Sequence, residues 1–199
     1  CIIGDPINHS LSPLIHNSAF AHLNLNYSYI AFKVSRFDLE DSIHSLKRIN
    51  AAGFNVTLPH KESIIKYIDG LSEEAKTTGA VNTVNNEDGK FIGYNTDIHG
   101  IITPIEERGI KLDNAQILIL GAGGSCRAAL VALSKKKGIQ NINIVNRDQN
   151  RLNKVIELGK KMGLNCSPLD YNDINLLRET SLKSNLIINT TSIGLNNES

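Results

Sequence analysis

The run Gln116-Ile-Leu-Ile-Leu120, passing directly into Gly121-Ala-Gly-Gly-Ser-Cys-Arg-Ala128, constrains the fold more than any other stretch of this chain. A short apolar run bounded by glycine reads as a buried strand. Ala128, Ala129, Ala132 and Leu133 then continue as a helix. Strand, glycine turn and helix in that order form the context that a dinucleotide fingerprint requires. The first glycine allows the tight turn, and the second lets backbone N–H groups approach a pyrophosphate. The helix N-terminus adds partial positive charge. Cys126 stands at the third glycine position, so small Ala128 is expected to take over the close helix–strand contact.

The next strand, Asn141–Val145, ends in Asn146-Arg147. Many NAD-binding chains carry a carboxylate at this point to hold the ribose 2′-hydroxyl. A carboxylate would repel a 2′-phosphate, whereas Arg147 binds one bidentately. The expected cofactor is therefore NADP, with NAD left open by the neighbouring Asp148. That residue either N-caps the helix bearing Leu152, Val155 and Ile156 or weakens phosphate binding. Arg151 is either a second phosphate contact or part of a solvated helix face. Asn165–Ser167 reads as a short strand, Asn172–Thr180 as a helix and Asn185–Asn189 as a buried strand ending in the polar turn Thr190–Gly194. A complete dinucleotide domain needs further strands, so this one is expected to be incomplete at its C-terminal end.

In the first half, Cys1–Gly4 reads as a strand, cut short because the chain opens inside an apolar run without methionine. Ser12 is placed as N-cap and Pro13 at the first helical position of a helix reaching about Leu23, with Ile15, Ala19 and Leu23 on one face. Ser10 and Ser12 either serve this cap or aim their hydroxyls at a ligand above the strand ends. Tyr27–Val34 is a second strand, and Asp38 caps a helix with Leu39, Ile43, Leu46 and Ile49 on one face. Ala51–Val56 is a third strand. It runs into Asn55-Val-Thr-Leu-Pro-His-Lys61, where Pro59 is expected to open a helix. Ligands sit at such strand ends in open α/β sheets. Lys61 would then lie in a first helical turn, where the macrodipole disfavours a cation by ~0.3–1 kcal/mol. It is either a surface lysine or a side chain with a task.

Ile64, Ile65 and Ile68 form a short apolar face, and Ser72–Thr78 is another short helix. Val81–Val84 and Phe91–Tyr94 flank Asn85–Gly89 and read as a hairpin with a longer turn. Asn82 starts its first strand and Asn95-Thr-Asp97 ends its second. Asp97 also suits the cap of a following helix with Ile98, Ile101, Ile102 and Ile105. Strands alternating with helices give an α/β fold of two domains. The first is a mostly parallel α/β/α sandwich with a β-hairpin over 1–97. A linker helix covers 98–112, and a partial Rossmann-like dinucleotide domain covers 113–199.

Composition excludes several classes. A length of 199 residues suits one large or two small domains. The net charge of +1 implies neither nucleic acid nor a membrane surface as partner. The 3 cysteines lack a CxxC spacing, which argues against a disulfide framework and fits a cytoplasmic location. The 6 histidines form no HExxH-type pattern, so no metal is assigned.

Together these stretches resemble the shikimate dehydrogenase family over nearly the whole chain. Gly4-Asp-Pro-Ile-Asn-His-Ser-Leu-Ser-Pro13 is similar to its amino-terminal signature. Asn55–Lys61, Gly79-Ala-Val-Asn-Thr83 and Gly93-Tyr-Asn-Thr-Asp97 resemble its substrate motifs. Gly121–Ala128, Asn146-Arg147 and Asn189–Gly194 resemble its cofactor motifs. The resemblance implies NADP-linked interconversion of 3-dehydroshikimate and shikimate on the route to aromatic amino acids, by a monomer or homodimer. It implies that Ser10 and Ser12 hold the substrate carboxylate, that Asn55, Thr57, Asn82 and Asp97 bind ring hydroxyls, and that Lys61 and Asp97 form the catalytic pair. Gly121, Ala122, Gly123, Gly124, Ser125, Asn146, Arg147, Arg151, Asn189, Thr190, Thr191 and Ser192 are the implied cofactor residues. The family pattern has threonine where Asp148 stands, and its chain continues past this point to complete the cofactor domain and supply a glutamine and a tyrosine near the ligands. Without that tail the chain is expected to bind cofactor weakly or to be inactive. Rival readings are a quinate/shikimate dehydrogenase using NAD or NADP, a folate-linked or amino-acid dehydrogenase, and a non-catalytic binding protein on the same scaffold.

Overall fold

A computed structural model describes residues 1–194; the end of the expected second domain, 195–199, lies outside the described residues. The chain divides into two compact units, the first Cys1–Thr96 and the second beginning at Asp97.

The first unit runs β1 (Ile2–Gly4), α1 (Ser12–His22), β2 (Ala31–Lys33), α2 (Leu39–Arg48), β3 (Gly53–Val56), a 3-10 turn (Ser63–Tyr67), β4 (Gly70–Leu71), α3 (Glu73–Thr78), β5 (Thr83–Glu87) and β6 (Lys90–Tyr94). Its sheet has the order β2-β1-β3-β5-β6-β4. β1 lies parallel to β2 and β3, while β5 is antiparallel to β3 and β6. Successive strand residues face opposite ways. Ile3, Phe54, Val56, Val84 and Phe91 pack with Leu39, Ile43 and Leu46 of α2 and with Ile64 and Ala75. Ile2 faces the other side, with Ile7, Tyr29 and Phe20 of α1.

Several expectations for this unit are corrected. The strand expected over Tyr27–Val34 contracts to Ala31–Lys33. The Asn17 side chain takes the ladder's place at Tyr29, donating to its carbonyl at 2.9 Å and accepting from its N–H at 2.8 Å. In α1, Ile15 and Leu23 are each 62% exposed, so the expected face is not a core face. Phe20 is the α1 residue that packs against the small apolar cluster of Ile2, Ile7 and Tyr29. Leu11 is the N-cap, and Ser12 is the first helical residue. The hairpin turn is tighter than expected. β5 runs on to Glu87, and Asp88 and Gly89 make the turn with φ of 51° and 83°. Two positive φ values suit a two-residue hairpin loop, and Asp-Gly is favoured there. No helix opens at Pro59; a turn closed by the His60 N–H on the Thr57 carbonyl at 2.9 Å precedes the 3-10 segment. Lys61 lies in the next turn, closed by the Ile64 N–H on the His60 carbonyl at 2.9 Å ahead of the 3-10 segment, and so is not in the first turn of an α-helix.

The second unit runs α4 (Asp97–Glu107), β7 (Gln116–Leu120), α5 (Gly124–Ser134), β8 (Asn141–Val145), α6 (Gln149–Lys161), β9 (Cys166–Leu169), α7 (Ile174–Lys183) and β10 (Leu186–Asn189). Its strands are parallel in the order β10-β7-β8-β9. Ile117, Ile119, Ile142 and Ile144 pack under Cys126, Ala129, Leu130 and Leu133 of α5 and Leu152 and Val155 of α6. Leu118, Val145 and Leu169 face Leu177 of α7 on the other side. Cys126 thus makes the helix–sheet contact itself. Ala128, expected there, packs with Val131 and Ala132 on Ile98 of α4. The helix expected as a linker is therefore part of the second unit's packing.

Candidate active site

The parallel and antiparallel pairings bring the carboxyl ends of β1, β3 and β6 and the start of β5 to one end of the first sheet. Ser10, Ser12, Asn55, Thr57, Lys61 and Asn82 are all half-buried there or on the turns leaving it. Gly4 lets the turn after β3 come close, since a Cβ on it would lie 2.9 Å from the Leu58 carbonyl oxygen. Asp5 N–H then donates to that carbonyl at 2.9 Å. The Val81 N–H donates to the Lys61 carbonyl at 2.7 Å, tying the lysine's backbone to the residue before Asn82. Buried His60 anchors the same turn from below: its Nε2 lies 2.8 Å from the Val34 carbonyl, an acceptor that fixes the ring proton on that nitrogen.

The polar side chains at this end are joined. Asn55 Nδ2 donates to Thr83 Oγ1 at 3.1 Å, and Thr83 Oγ1 donates to Asn82 Oδ1 at 3.0 Å. The Thr96 N–H donates to the same Asn82 oxygen at 2.9 Å. Tyr29 donates a short hydrogen bond to Asn55 Oδ1. Its phenol is pushed up to about 12 by burial, against a smaller opposing effect of a hydrogen bond from Ser12. The hydroxyl of Ser10 accepts the Ser12 N–H at 3.3 Å, so Ser10 serves the helix start. Asp97 is the first residue of α4, one peptide beyond Thr96. Tyr29, Thr83, Thr96 and His60 were not singled out from sequence. Each looked like an ordinary strand or turn residue, and only long-range hydrogen bonds reveal it.

In the second unit the implied cofactor residues share the carboxyl edge of the parallel sheet. Asn189, Leu120 and Val145 stand in register on adjacent strands. Gly121 follows β7 with φ of 102°, and a Cβ there would lie 2.7 Å from Thr190 Oγ1. Glycine is thus required both by conformation and by the approach of the neighbouring strand end. Thr190 Oγ1 donates to the Leu120 carbonyl at 2.7 Å, while Asn189 accepts from the Thr191 N–H and donates to the Ile193 carbonyl. Ser192 lies in this exposed turn. A Cβ on Gly123 would meet nothing within 4 Å, leaving open space at the N-terminus of α5. The first N–H groups of a helix lack intrahelical acceptors. Ala122, Gly124 and Ser125 border that space, and the edge lies where strand order reverses about β7. These features fit a dinucleotide pyrophosphate. Arg147 is exposed just past β8. Asp148 is the N-cap of α6, accepting the Arg151 N–H at 3.1 Å, and its carboxylate also lies 3.7 Å from Arg151 Nε.

A family model described as "Shikimate dehydrogenase substrate binding domain" matches residues 2–84, and one described as "Shikimate / quinate 5-dehydrogenase" matches 105–193. A shikimate dehydrogenase (NADP(+)) of Nitrosopumilus maritimus is 44% identical over 198 residues, covering 100% of this chain and 71% of the relative. The chain belongs to the shikimate dehydrogenase family. The solved shikimate 5-dehydrogenase of Listeria monocytogenes, in complex with shikimate and NAD, is 36% identical with a TM-score of 0.83. It matches over 98% of this chain and 68% of its own. The Thermus thermophilus shikimate 5-dehydrogenase, in complex with NADP(H) and shikimate, is 34% identical with a TM-score of 0.78, over 96% of this chain and 67% of its own. Shikimate dehydrogenases are oxidoreductases, and this family membership makes the chain an enzyme of that class. Among the described residues no helix is long and apolar enough to cross a membrane, and no group of acidic, histidine or cysteine side chains is arranged to hold a metal.

Proposed function

We propose that this chain reduces 3-dehydroshikimate to shikimate with NADPH, in aromatic amino acid biosynthesis. The observation that carries the reading is the joined polar end of the first sheet. Tyr29, Asn55, Thr83 and Asn82 belong to one hydrogen-bonded set there, with the Lys61 carbonyl held by the Val81 N–H beside it. Ser10 and Ser12 hold the substrate carboxylate. Asn55, Thr57, Asn82 and Asp97 bind its ring hydroxyls. The pyrophosphate lies on the Gly121–Ser125 turn and the Asn189–Ser192 turn, and Asn146, Arg147 and Arg151 hold the 2′-phosphate end.

NADPH, when bound, supplies the hydride. The ketone oxygen that gains negative charge needs a proton and a nearby cation. The Lys61 ammonium provides both, donating one proton from Nζ to that oxygen. The Asp97 carboxylate balances the lysine's charge and accepts from a neighbouring ring hydroxyl. In the reverse direction neutral Lys61 removes the hydroxyl proton.

A quinate-tolerant enzyme shares this chemistry, and a 5-ketofructose reductase of Gluconobacter has the same fold, with a TM-score of 0.78 at 29% identity. Steady-state oxidation of shikimate and of quinate by the full-length protein, each with NADP+ and NAD+, separates the readings. The proposal predicts the highest kcat/KM for shikimate with NADP+. A preference for quinate or for NAD+ would replace it with the quinate/shikimate reading, and cofactor binding without turnover would make the protein a binding homologue.

A further inference from the structure

One main-chain donor sets the direction of every hydrogen bond at the polar end of the first sheet. The Thr96 N–H can only donate, so the Asn82 atom it meets at 2.9 Å must be the amide oxygen. That oxygen carries no proton, so Thr83 Oγ1 donates to it at 3.0 Å. Thr83 Oγ1 is then left to accept, and the Asn55 atom 3.1 Å from it must be the NH2 group. The other end of the Asn55 amide is thereby its oxygen, and the Tyr29 hydroxyl donates to it. Protons therefore point one way, from Tyr29 through Asn55 and Thr83 to Asn82.

The tyrosine in this relay is rigidly held. Its ring stacks on His16 with centroids 4.2 Å apart and planes within 10°. The Asn17 side chain clamps its main chain on both sides, and the residue is 7% exposed. Its hydroxyl is committed to Asn55 Oδ1.

We propose that Tyr29 and Thr83 are positioning residues of the substrate site, fixing the Asn55 amide with its oxygen on the Tyr29 hydroxyl and its NH2 on Thr83, so that the amide presents one set orientation to a ring hydroxyl.

This inference rests on the shikimate reading of the site, and a double-mutant cycle separates the two. Wild-type full-length protein with no turnover of shikimate fails that reading whatever Tyr29 does. Given turnover, Tyr29→Phe keeps the ring and removes one hydrogen bond, and is expected to lower kcat/KM for shikimate about tenfold. KM for NADP+ should stay unchanged. In an Asn55→Ala background the same change should cost no more than about twofold, because Tyr29 acts through that amide. An equal loss in both backgrounds, or no loss in the first, overturns the proposal. Thr83→Val removes the tether at the other end of the amide and reads the same coupling if Tyr29→Phe does not fold; a loss there independent of Asn55 overturns it equally.

Discussion

Lys61 and Arg147 are the two charged residues to which the proposed function assigns the proton transfer and the 2′-phosphate. Lys61 is half-buried, and its carbonyl holds the Val81 N–H at 2.7 Å. The backbone at Lys61 is therefore tied to the segment that leads into β5. Lys61→Ala should lower kcat by ~10²-fold or more, the range for a lost general acid, with KM for NADP+ unchanged. Near-normal turnover would remove the lysine from the mechanism. Arg147 stands exposed where a carboxylate would select NAD. Arg147→Ala should raise KM for NADP+ about tenfold, the loss expected of a charge-assisted pair, and leave kcat/KM with NAD+ within about twofold. Equal losses with both cofactors would place the 2′-phosphate elsewhere.

At the scale of elements, caps and close approaches decide whether the sites are built. Asp148 accepts the Arg151 N–H at 3.1 Å and so starts α6. Asp148→Ala should cost about 1 kcal/mol in urea unfolding, as lost N-caps do, whereas Asp148→Ser should retain most of it. Gly4→Ala places a methyl group against Thr57 and 2.9 Å from the Leu58 oxygen, on the turn between Asn55 and Lys61. Overpacking of this kind costs about 1–3 kcal/mol, and KM for shikimate should rise with it. The elements legible from sequence were those with apolar runs and strong punctuation: β7, β8 and α6, with β10 and α2 right in place but not in burial, since β10 alternates half-buried and exposed residues and Ile49, expected on the α2 core face, is an exposed C-cap. β2 was overextended because an Asn17 side chain replaces ladder bonds, which no residue pattern in Tyr27–Val34 announces. Pro59 was read as a helix start, but hydrogen bonds from His60 to Thr57 and Val34 hold that segment as a turn. The strand-end positions of the candidate site followed from motif order. The Tyr29–Asn55–Thr83–Asn82 relay did not, because its members meet only after distant strands pair.

The whole molecule is two units, each with its own sheet and core, and both bury ionisable groups in neutral form. Burial pushes Tyr29 up to about 12 from 10.0, and likewise Cys126 up to about 12 and Cys166 up to about 11 from 9.0. As pH rises above 9.0, the unfolded chain loses these protons first and binds fewer than the folded chain. Stability therefore falls with rising pH through this window. Urea midpoints should be lower at about pH 10.5 than at about pH 8, and a flat profile would mean that the groups are accessible in the folded state. The account as a whole stands or falls on one reaction. The direct measurement is NADPH consumption by the full-length protein with 3-dehydroshikimate, with shikimate quantified as product. The account predicts one shikimate formed per NADPH oxidised, and turnover lost in Lys61→Ala. NADPH binding without shikimate formation, or consumption indifferent to Lys61, would contradict it.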